Sequence, residues 1–182
     1  MFISNGTLQR RKIKTFPGQK LAESKVREVL YNVLGQQVAG TDVLDLFGGS
    51  GAVGFEALSW GAGSCTFCEK DKKTAALIKE NAVSLGVSAQ ITVEATDAFS
   101  LVPRLASQNR RFSCVFLDPP YNLGIVTKIL HCLSAYDIVT PIGLTVLLCS
   151  AKEEVDTTGY ETVFDRTYGY PRIVILKKAA SV

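Results

Sequence analysis

The run Gly48-Gly49-Ser50-Gly51-Ala52-Val53-Gly54 follows the apolar segment Val43-Leu44-Asp45-Leu46-Phe47 and leads into a stretch carrying Phe55, Ala57, Leu58 and Trp60. A buried strand, a tight glycine turn and a helix in that order open a βαβ unit. They commit the chain to a parallel sheet covered by helices. Gly49 to Gly54 has the spacing G-x-G-x-x-G, and Glu69 stands twenty residues beyond Gly49. Glycines here permit a sharp turn and let backbone amides approach a ligand. A carboxylate at the end of the next strand can accept bonds from ribose hydroxyls.

The remaining pattern agrees with that start. Val26, Val29, Leu30, Val33 and Leu34 recur at helical spacing, predicting a helix over 22–34 closed by Gly35, with Lys25 and Arg27 off the buried stripe. Strands are predicted at 64–68, 90–95, 113–117 and 143–150. Asp71 is expected to cap a helix running to Leu85, and Asp97 precedes a short helix broken near Pro103. A further helix carries Val126, Ile129, Leu130 and Leu133. Residues 160–167 and 172–177 form a closing hairpin about Tyr168-Gly169-Tyr170-Pro171. The expected fold class is α/β: a Rossmann-like, mostly parallel seven-stranded sheet with an antiparallel C-terminal hairpin and helices on both faces.

The fourth strand ends in Asp118-Pro119-Pro120-Tyr121. Each proline fixes φ and lacks an N–H, and the first holds Asp118 extended. A stiff turn at a strand's carboxyl end presents a carboxylate, rigid carbonyl acceptors and a flat ring. Those groups suit a planar amino group. A plain capping Asp with a packed Tyr is the alternative. NAD and S-adenosylmethionine both carry an adenosine ribose, so Glu69 does not separate them. Asp45 does: before the glycine turn it would repel a pyrophosphate but attract a methionine ammonium. Asp97 is placed to accept from an adenine amino group, and Asp118 to Tyr121 have no role in hydride transfer; a strand-end cap for Asp45 and a helix N-cap for Asp97 are the alternatives.

Charge is uneven. Arg10, Arg11, Lys12, Lys14, Lys20, Lys25 and Arg27 against Glu23 alone leave residues 1–27 at +6. The remaining 13 basic and 16 acidic residues leave the rest at −3. A basic arm on a mildly acidic body suits a phosphate-rich partner. We expect an arm or hairpin over residues 1–20, with a turn near Gly6, and one catalytic domain over 21–182. Cys65, Cys68, Cys114 and Cys149 fall in core strands and read as small hydrophobes. Cys65-x-x-Cys68 has no second pair and His131 is the single histidine, so no metal site is expected. No apolar run is long enough to span a bilayer and no signal peptide is evident, which suggests a cytoplasmic protein.

Residues 43–59 with Gly61-Ala62, Glu69-Lys70-Asp71, Asn81, Asp97-Ala98 and Asp118-Pro119-Pro120-Tyr121 resemble the RsmD-type methyltransferases. These are bacterial enzymes of the S-adenosylmethionine-dependent class I that methylate a guanine N2 amino group in small-subunit (16S) ribosomal RNA. The helix 26–34 and Tyr168-Gly169 are similar too, so the resemblance covers nearly the whole chain. The family usually carries Arg-Pro-Thr before that helix where this chain has Lys20-Leu21-Ala22.

The resemblance implies S-adenosylmethionine held by Asp45, Phe47, Gly48, Gly49, Ser50, Gly51, Glu69, Lys70, Asp97 and Ala98. Catalysis would fall to Asp118, Pro119, Pro120 and Tyr121. RNA would be met by Arg10, Arg11, Lys12, Lys14, Lys20 and Arg27, with a small-subunit assembly intermediate as partner and neither membrane nor metal involved. Competing expectations are a DNA adenine-N6 or cytosine-N4 methyltransferase, for which the chain has no separate target-recognition domain, an NAD-dependent oxidoreductase, and a non-catalytic RNA-binding or ribosome-assembly protein with a vestigial cofactor site.

Overall fold

A computed structural model describes residues 1–17 and 24–179. Lys20 and the segment Lys20-Leu21-Ala22 lie outside the described residues. The elements run α1 (Ser24–Leu34), β1 (Asp42–Asp45), α2 (Ala52–Ser59), β2 (Ser64–Cys68), α3 (Lys72–Leu85), β3 (Ile91–Glu94), α4 (Ala98–Ser107), β4 (Phe112–Leu117), α5 (Ile125–Tyr136), β5 (Val139–Ser150), β6 (Tyr160–Thr167) and β7 (Pro171–Lys178).

The seven strands form one sheet in the order β3-β2-β1-β4-β5-β7-β6. Strands β1 to β5 pair in parallel, and β7 pairs antiparallel with both β5 and β6. The expected sheet is therefore present. Strand side chains alternate between two cores. Val43, Phe67, Phe116, Val146 and Ile175 pack with α1, α2 and α3, while Leu44, Val115, Leu117, Leu147 and Leu176 pack with α4 and α5. The chain moves outward from β1 through β2 to β3, then crosses back to β4 on the other side of β1. Ligands bind at such reversals, at the carboxyl ends of the strands. Here those ends carry Asp45 and Asp118. No helix among the described residues is long and apolar enough to cross a membrane.

Helix α3 starts at the Asp71 cap, which accepts from Thr74 N at 2.8 Å, and ends at Gly86 in the left-handed region (φ 77°), as its sequence predicts. Helix α4 does not break at Pro103. Proline there removes a single intrahelical bond, and the burial of Leu101, Val102 and Leu105 on the sheet carries the helix on to Ser107. Strand β5 begins at Val139 rather than at Gly143. Val139 pairs with Phe112, the chain bulges outward through Pro141 and Ile142, and pairing resumes at Leu144 with Cys114.

The larger correction concerns Arg27. It does not lie off the buried stripe of α1; it is wholly buried, whereas Val33 is half exposed. The N-terminal segment folds over Arg27, while Tyr31 packs on Trp60 and Phe116 and donates its hydroxyl to Val53 O. Arg27 Nε lies 3.2 Å from Glu56 Oε2, both side chains inaccessible. Its Nη2 donates to Phe2 O at 2.8 Å and to Ser24 Oγ at 3.2 Å. Glu56 also accepts from the backbone N–H groups of Ser4 and Asn5 at 2.9–3.1 Å. A buried ion pair persists when its remaining bonding capacity is filled in this way.

The segment of residues 1–14 folds back on itself, with Phe2 bridging Lys12 and with Ile3 and Ile13 buried in the core. Gly6 turns it at φ 82°, and a Cβ there would run into the Ser59 carbonyl. The hairpin is stitched to the body rather than trailing from it.

Candidate active site

The glycine turn is built from three bonds and two positive-φ glycines. Leu46 N donates to Phe116 O (3.1 Å), Gly48 N to Cys68 O (2.9 Å) and Gly51 N to Gly48 O (2.7 Å). Gly49 has φ 53°, and Gly51, at φ 83°, begins α2. Gly54 has a different purpose: a side chain there would collide with the Phe67 ring, so its absence lets α2 lie close on β2.

Asp45 sits beneath the turn, 1% exposed. Its Oδ1 accepts from Phe47 N at 3.4 Å and its Oδ2 from Gly54 N at 3.2 Å. Burial, and next the charge of Asp118, push its carboxyl up to about 7 against the pull of those two N–H groups. At the end of β2, Glu69 accepts from Gly49 N (3.0 Å) and from Asp71 N (2.8 Å), tying the glycine turn to the start of α3. After β3, Asp97 caps α4 by accepting from Phe99 N at 2.8 Å.

At the end of β4, Asp118 is half-buried and Pro119 buried. Burial and the Asp118 carboxylate, to which its hydroxyl is hydrogen-bonded, raise the Tyr121 phenol above its ordinary value. The Tyr121 ring lies 5.8 Å from that of Tyr170, tilted by 42°. Asn122 follows at φ 60° and donates its N–H to Glu153 Oε2 at 3.1 Å.

These strand ends surround one cavity of about 360 Å3. Phe47, Gly48, Gly49, Ser50, Glu69, Lys70, Asp97, Ala98, Asp118 and Pro120 all line it, so ten residues singled out from the sequence meet at one place. Asp45, Gly51, Pro119 and Tyr121 are not in its lining. Asp45 is turned into the glycine loop, where its two oxygens accept from the backbone N–H groups of Phe47 and Gly54. Phe99, Leu123 and Ile125 add apolar walls, and Thr74 and Thr96 add polar ones. Leu123 and Ile125 follow Tyr121 closely enough to have been found by extending that motif. Thr74 is brought in by the fold of α3 against Glu69, which no local pattern announces. Among the described residues no group of three His, Cys, Asp or Glu side chains could hold a metal.

The basic residues divide. Arg10, Arg11, Lys12 and Lys14 are exposed on the hairpin. Arg11 Nη2 donates to Ser84 O at 2.6 Å, and Lys14 Nζ lies 3.3 Å from Glu80. Arg27 is removed from the candidate RNA contacts, because its guanidinium is consumed inside the protein.

The Asp118 carboxylate and Pro120 thus line the same cavity as Glu69, Asp97 and the glycine turn, and the Tyr121 and Tyr170 rings follow outside that lining. Comparison with known proteins agrees. The family described as conserved hypothetical protein 95 matches residues 1–177. The chain is 31% identical to the candidate rRNA methyltransferase YlbH of Bacillus subtilis over 182 residues, 98% of this chain and 99% of that one. It is 33% identical to ribosomal RNA small subunit methyltransferase D of Buchnera aphidicola over 135 residues, 73% of this chain and 69% of that one. The structure of the candidate methyltransferase yhhF of Escherichia coli superposes with a TM-score of 0.86 at 25% identity, covering 100% of this chain and 99% of that one. The chain has the class I methyltransferase fold and belongs to the conserved hypothetical protein 95 family, that of the RsmD-type methyltransferases.

Proposed function

We propose that the protein is a ribosomal RNA methyltransferase that moves a methyl group from S-adenosylmethionine to the exocyclic N2 of a guanine in 16S RNA. The observation that carries this reading is the position of Asp118. Its carboxylate lines the same cavity as Glu69, Asp97 and the glycine turn, and also bonds the ring that follows it. The names of the relatives supply the substrate class, a small-subunit ribosomal RNA.

The residues present fit the cofactor. Each Glu69 oxygen accepts one backbone N–H, and a carboxylate has about four lone-pair sites, so both retain capacity for ribose hydroxyls. Asp97 borders the cavity beside Phe99, offering an acceptor next to an apolar wall for an adenine. Asp45 supports the methionine end indirectly, through the turn that it braces. When bound, S-adenosylmethionine supplies an electrophilic methyl group.

The chain's own residues prepare the nucleophile. The lone pair of a guanine amino group is delocalised into the ring. Accepting its two N–H bonds at Asp118 and the Pro119 carbonyl localises that pair and orients it. The Asp118 carboxylate would then stabilise the positive charge that grows on nitrogen as the methyl group leaves sulfur, and the methylated amine would release its extra proton to that carboxylate or to water. Tyr121 supplies a face for the base, a positioning effect. The target base has to be unpaired or flipped to reach this pocket. Residues 1–20 carry the phosphate contacts through Arg10, Arg11, Lys12, Lys14 and Lys20, on an assembling small subunit in the cytoplasm.

The test offers purified protein and labelled S-adenosylmethionine to DNA, naked 16S RNA and small-subunit particles. Label in guanine N2 of the RNA or of the particle is the expected result. Label in DNA alone overturns the substrate, and no label with intact S-adenosylhomocysteine binding overturns the enzyme.

A further inference from the structure

The turn between β6 and β7 brings a second aromatic ring to the Asp118 motif. Tyr170 lies fifty-two residues beyond Asp118, yet its ring centroid is 5.8 Å from that of Tyr121. Three bonds fix the turn there. Tyr168 N donates to Pro171 O at 2.7 Å, Ala151 N donates to Tyr170 O at 2.9 Å, and Asn122 Nδ2 donates to the Tyr170 hydroxyl at 3.0 Å. Asn122 is itself anchored through Glu153. Tyr170 is therefore held at its backbone and at its tip. It is nonetheless 54% exposed. A large ring that is fixed at both ends, stays half in water and sits beside the Tyr121 ring presents a rigid flat surface to solvent.

The geometry limits what that surface can do. The two rings stand at an ordinary aromatic-pair distance and are tilted, so no base fits between them as a sandwich. The arrangement left to a base is the corner of the tilted pair. A base lying on the face of Tyr121 would meet Tyr170 at its edge. Stacking alone leaves a base free to slide and rotate in its own plane, and a small misplacement of a reacting atom is costly to rate. A wall at the edge removes that freedom.

We infer that Tyr170 is a second base-binding residue, the side wall that fixes the in-plane orientation of the target guanine so that its amino group faces Asp118. The inference rests on the reading of the protein as an RNA amino-methyltransferase and adds a residue and a role to it. Tyr170 does not line the cofactor cavity, so its effect should fall on the RNA side alone.

The experiment is single-turnover methylation of small-subunit particles, alongside S-adenosylhomocysteine affinity and thermal melting, for the wild type and for Tyr170→Phe, Tyr170→Leu and Tyr170→Ala. Tyr170→Ala and Tyr170→Leu should lower the methylation rate at saturating RNA by about tenfold, the scale of losing one base–aromatic contact. Affinity for S-adenosylhomocysteine should stay at the wild-type value. Tyr170→Phe keeps the flat ring and should recover most of the loss. Full activity in Tyr170→Leu would show that bulk alone suffices and would overturn the wall, as would a wild-type rate in Tyr170→Ala. A wild-type protein inactive on every RNA would overturn the underlying reading and the wall with it. That outcome is visible before any variant is compared.

Discussion

The side-chain amide of Asn81 joins the N-terminal hairpin to the glycine turn. Its Oδ1 accepts from Lys14 N at 2.8 Å, and its Nδ2 donates to Lys14 O at 3.0 Å and to Ser50 O at 3.1 Å. Asn81 is wholly buried in α3, and Ser50 lines the cavity at the strand ends. The strand that carries the basic residues is thereby one side chain away from the loop that would hold the methionine end. Asn81→Ala leaves Lys14 N without its acceptor and removes both donations. Losing buried bonds of this kind costs about 1–3 kcal/mol per orphaned group. We expect a stability loss of roughly 2–4 kcal/mol in urea denaturation and a weaker affinity for S-adenosylhomocysteine in calorimetry. Unchanged cofactor affinity in a destabilised but folded variant would confine Asn81 to holding the hairpin.

Arg27 and Arg10 should respond oppositely to removal. Arg27→Ala strands a buried Glu56, and breaking one side of a buried pair costs about 3–5 kcal/mol. The combined Arg10, Arg11 and Lys12 substitution to Gln removes three exposed charges and should leave stability nearly unchanged. It should weaken RNA binding and lower the salt slope by up to about three counterions. Truncating the hairpin cannot make this distinction, since Ile3 and Ile13 belong to the core. Nitrocellulose binding across a salt series, paired with denaturation curves, separates the two. An Arg27→Ala protein of normal stability would contradict the buried pair.

Asp45 gives the protein a pH dependence of definite sign. Its folded carboxyl titrates at about 7, above the unfolded value near 3.8. Between those values the folded state holds a proton that the unfolded state has lost. The contribution of Asp45 to stability is therefore fully present below the unfolded value and is lost as pH rises toward 7. Asp45→Asn cannot titrate, so its stability should change less than that of the wild type between pH 4.5 and pH 7.5. Parallel curves for the two proteins across that range, from denaturant midpoints, would rule out a raised Asp45.

The parts of the site legible in the sequence are those whose cause is local. Glycines 48 to 54, the Asp71 cap and the stiff Asp118-Pro119-Pro120-Tyr121 turn each act through neighbours a few residues away, and the parallel sheet then brings them together. The burial of Arg27 is not legible locally, because its partners, Glu56 and the Phe2 carbonyl, are 29 and 25 residues distant. A charged residue reads as exposed until a buried counter-charge is known. Tyr170 was legible as part of a turn, but its place beside Tyr121 follows from the antiparallel return of β7 along β5. Asp45 was found as a site residue, yet the turn itself takes up its carboxylate, and helical or strand periodicity carries no information about that.

The most exacting prediction concerns Asp118. Its carboxylate borders the cofactor cavity, bonds the Tyr121 hydroxyl and acts electrostatically on Asp45. In the proposed reaction it accepts from an amino group that becomes cationic, so it contributes more to the transition state than to the ground state. Asp118→Ala should lower single-turnover methylation by about a hundredfold or more, the usual scale for one preorganised contact of this kind. RNA affinity should change little, because on the proposed reading phosphate contacts would dominate it. Affinity for S-adenosylhomocysteine should also change little, because the proposed adenosine contacts, Glu69 and Asp97, stand at other strand ends. A second consequence is independent of RNA. Removing the Asp118 charge takes away the second-largest cause raising the Asp45 carboxyl, so the pH dependence of stability should move to lower pH in the variant. Titrating stability against pH in Asp118→Ala checks the electrostatic contact, and the single-turnover rate checks the chemistry. A near-normal rate in a folded variant whose stability profile has moved would keep Asp118 as a neighbour of Asp45 and remove it from catalysis.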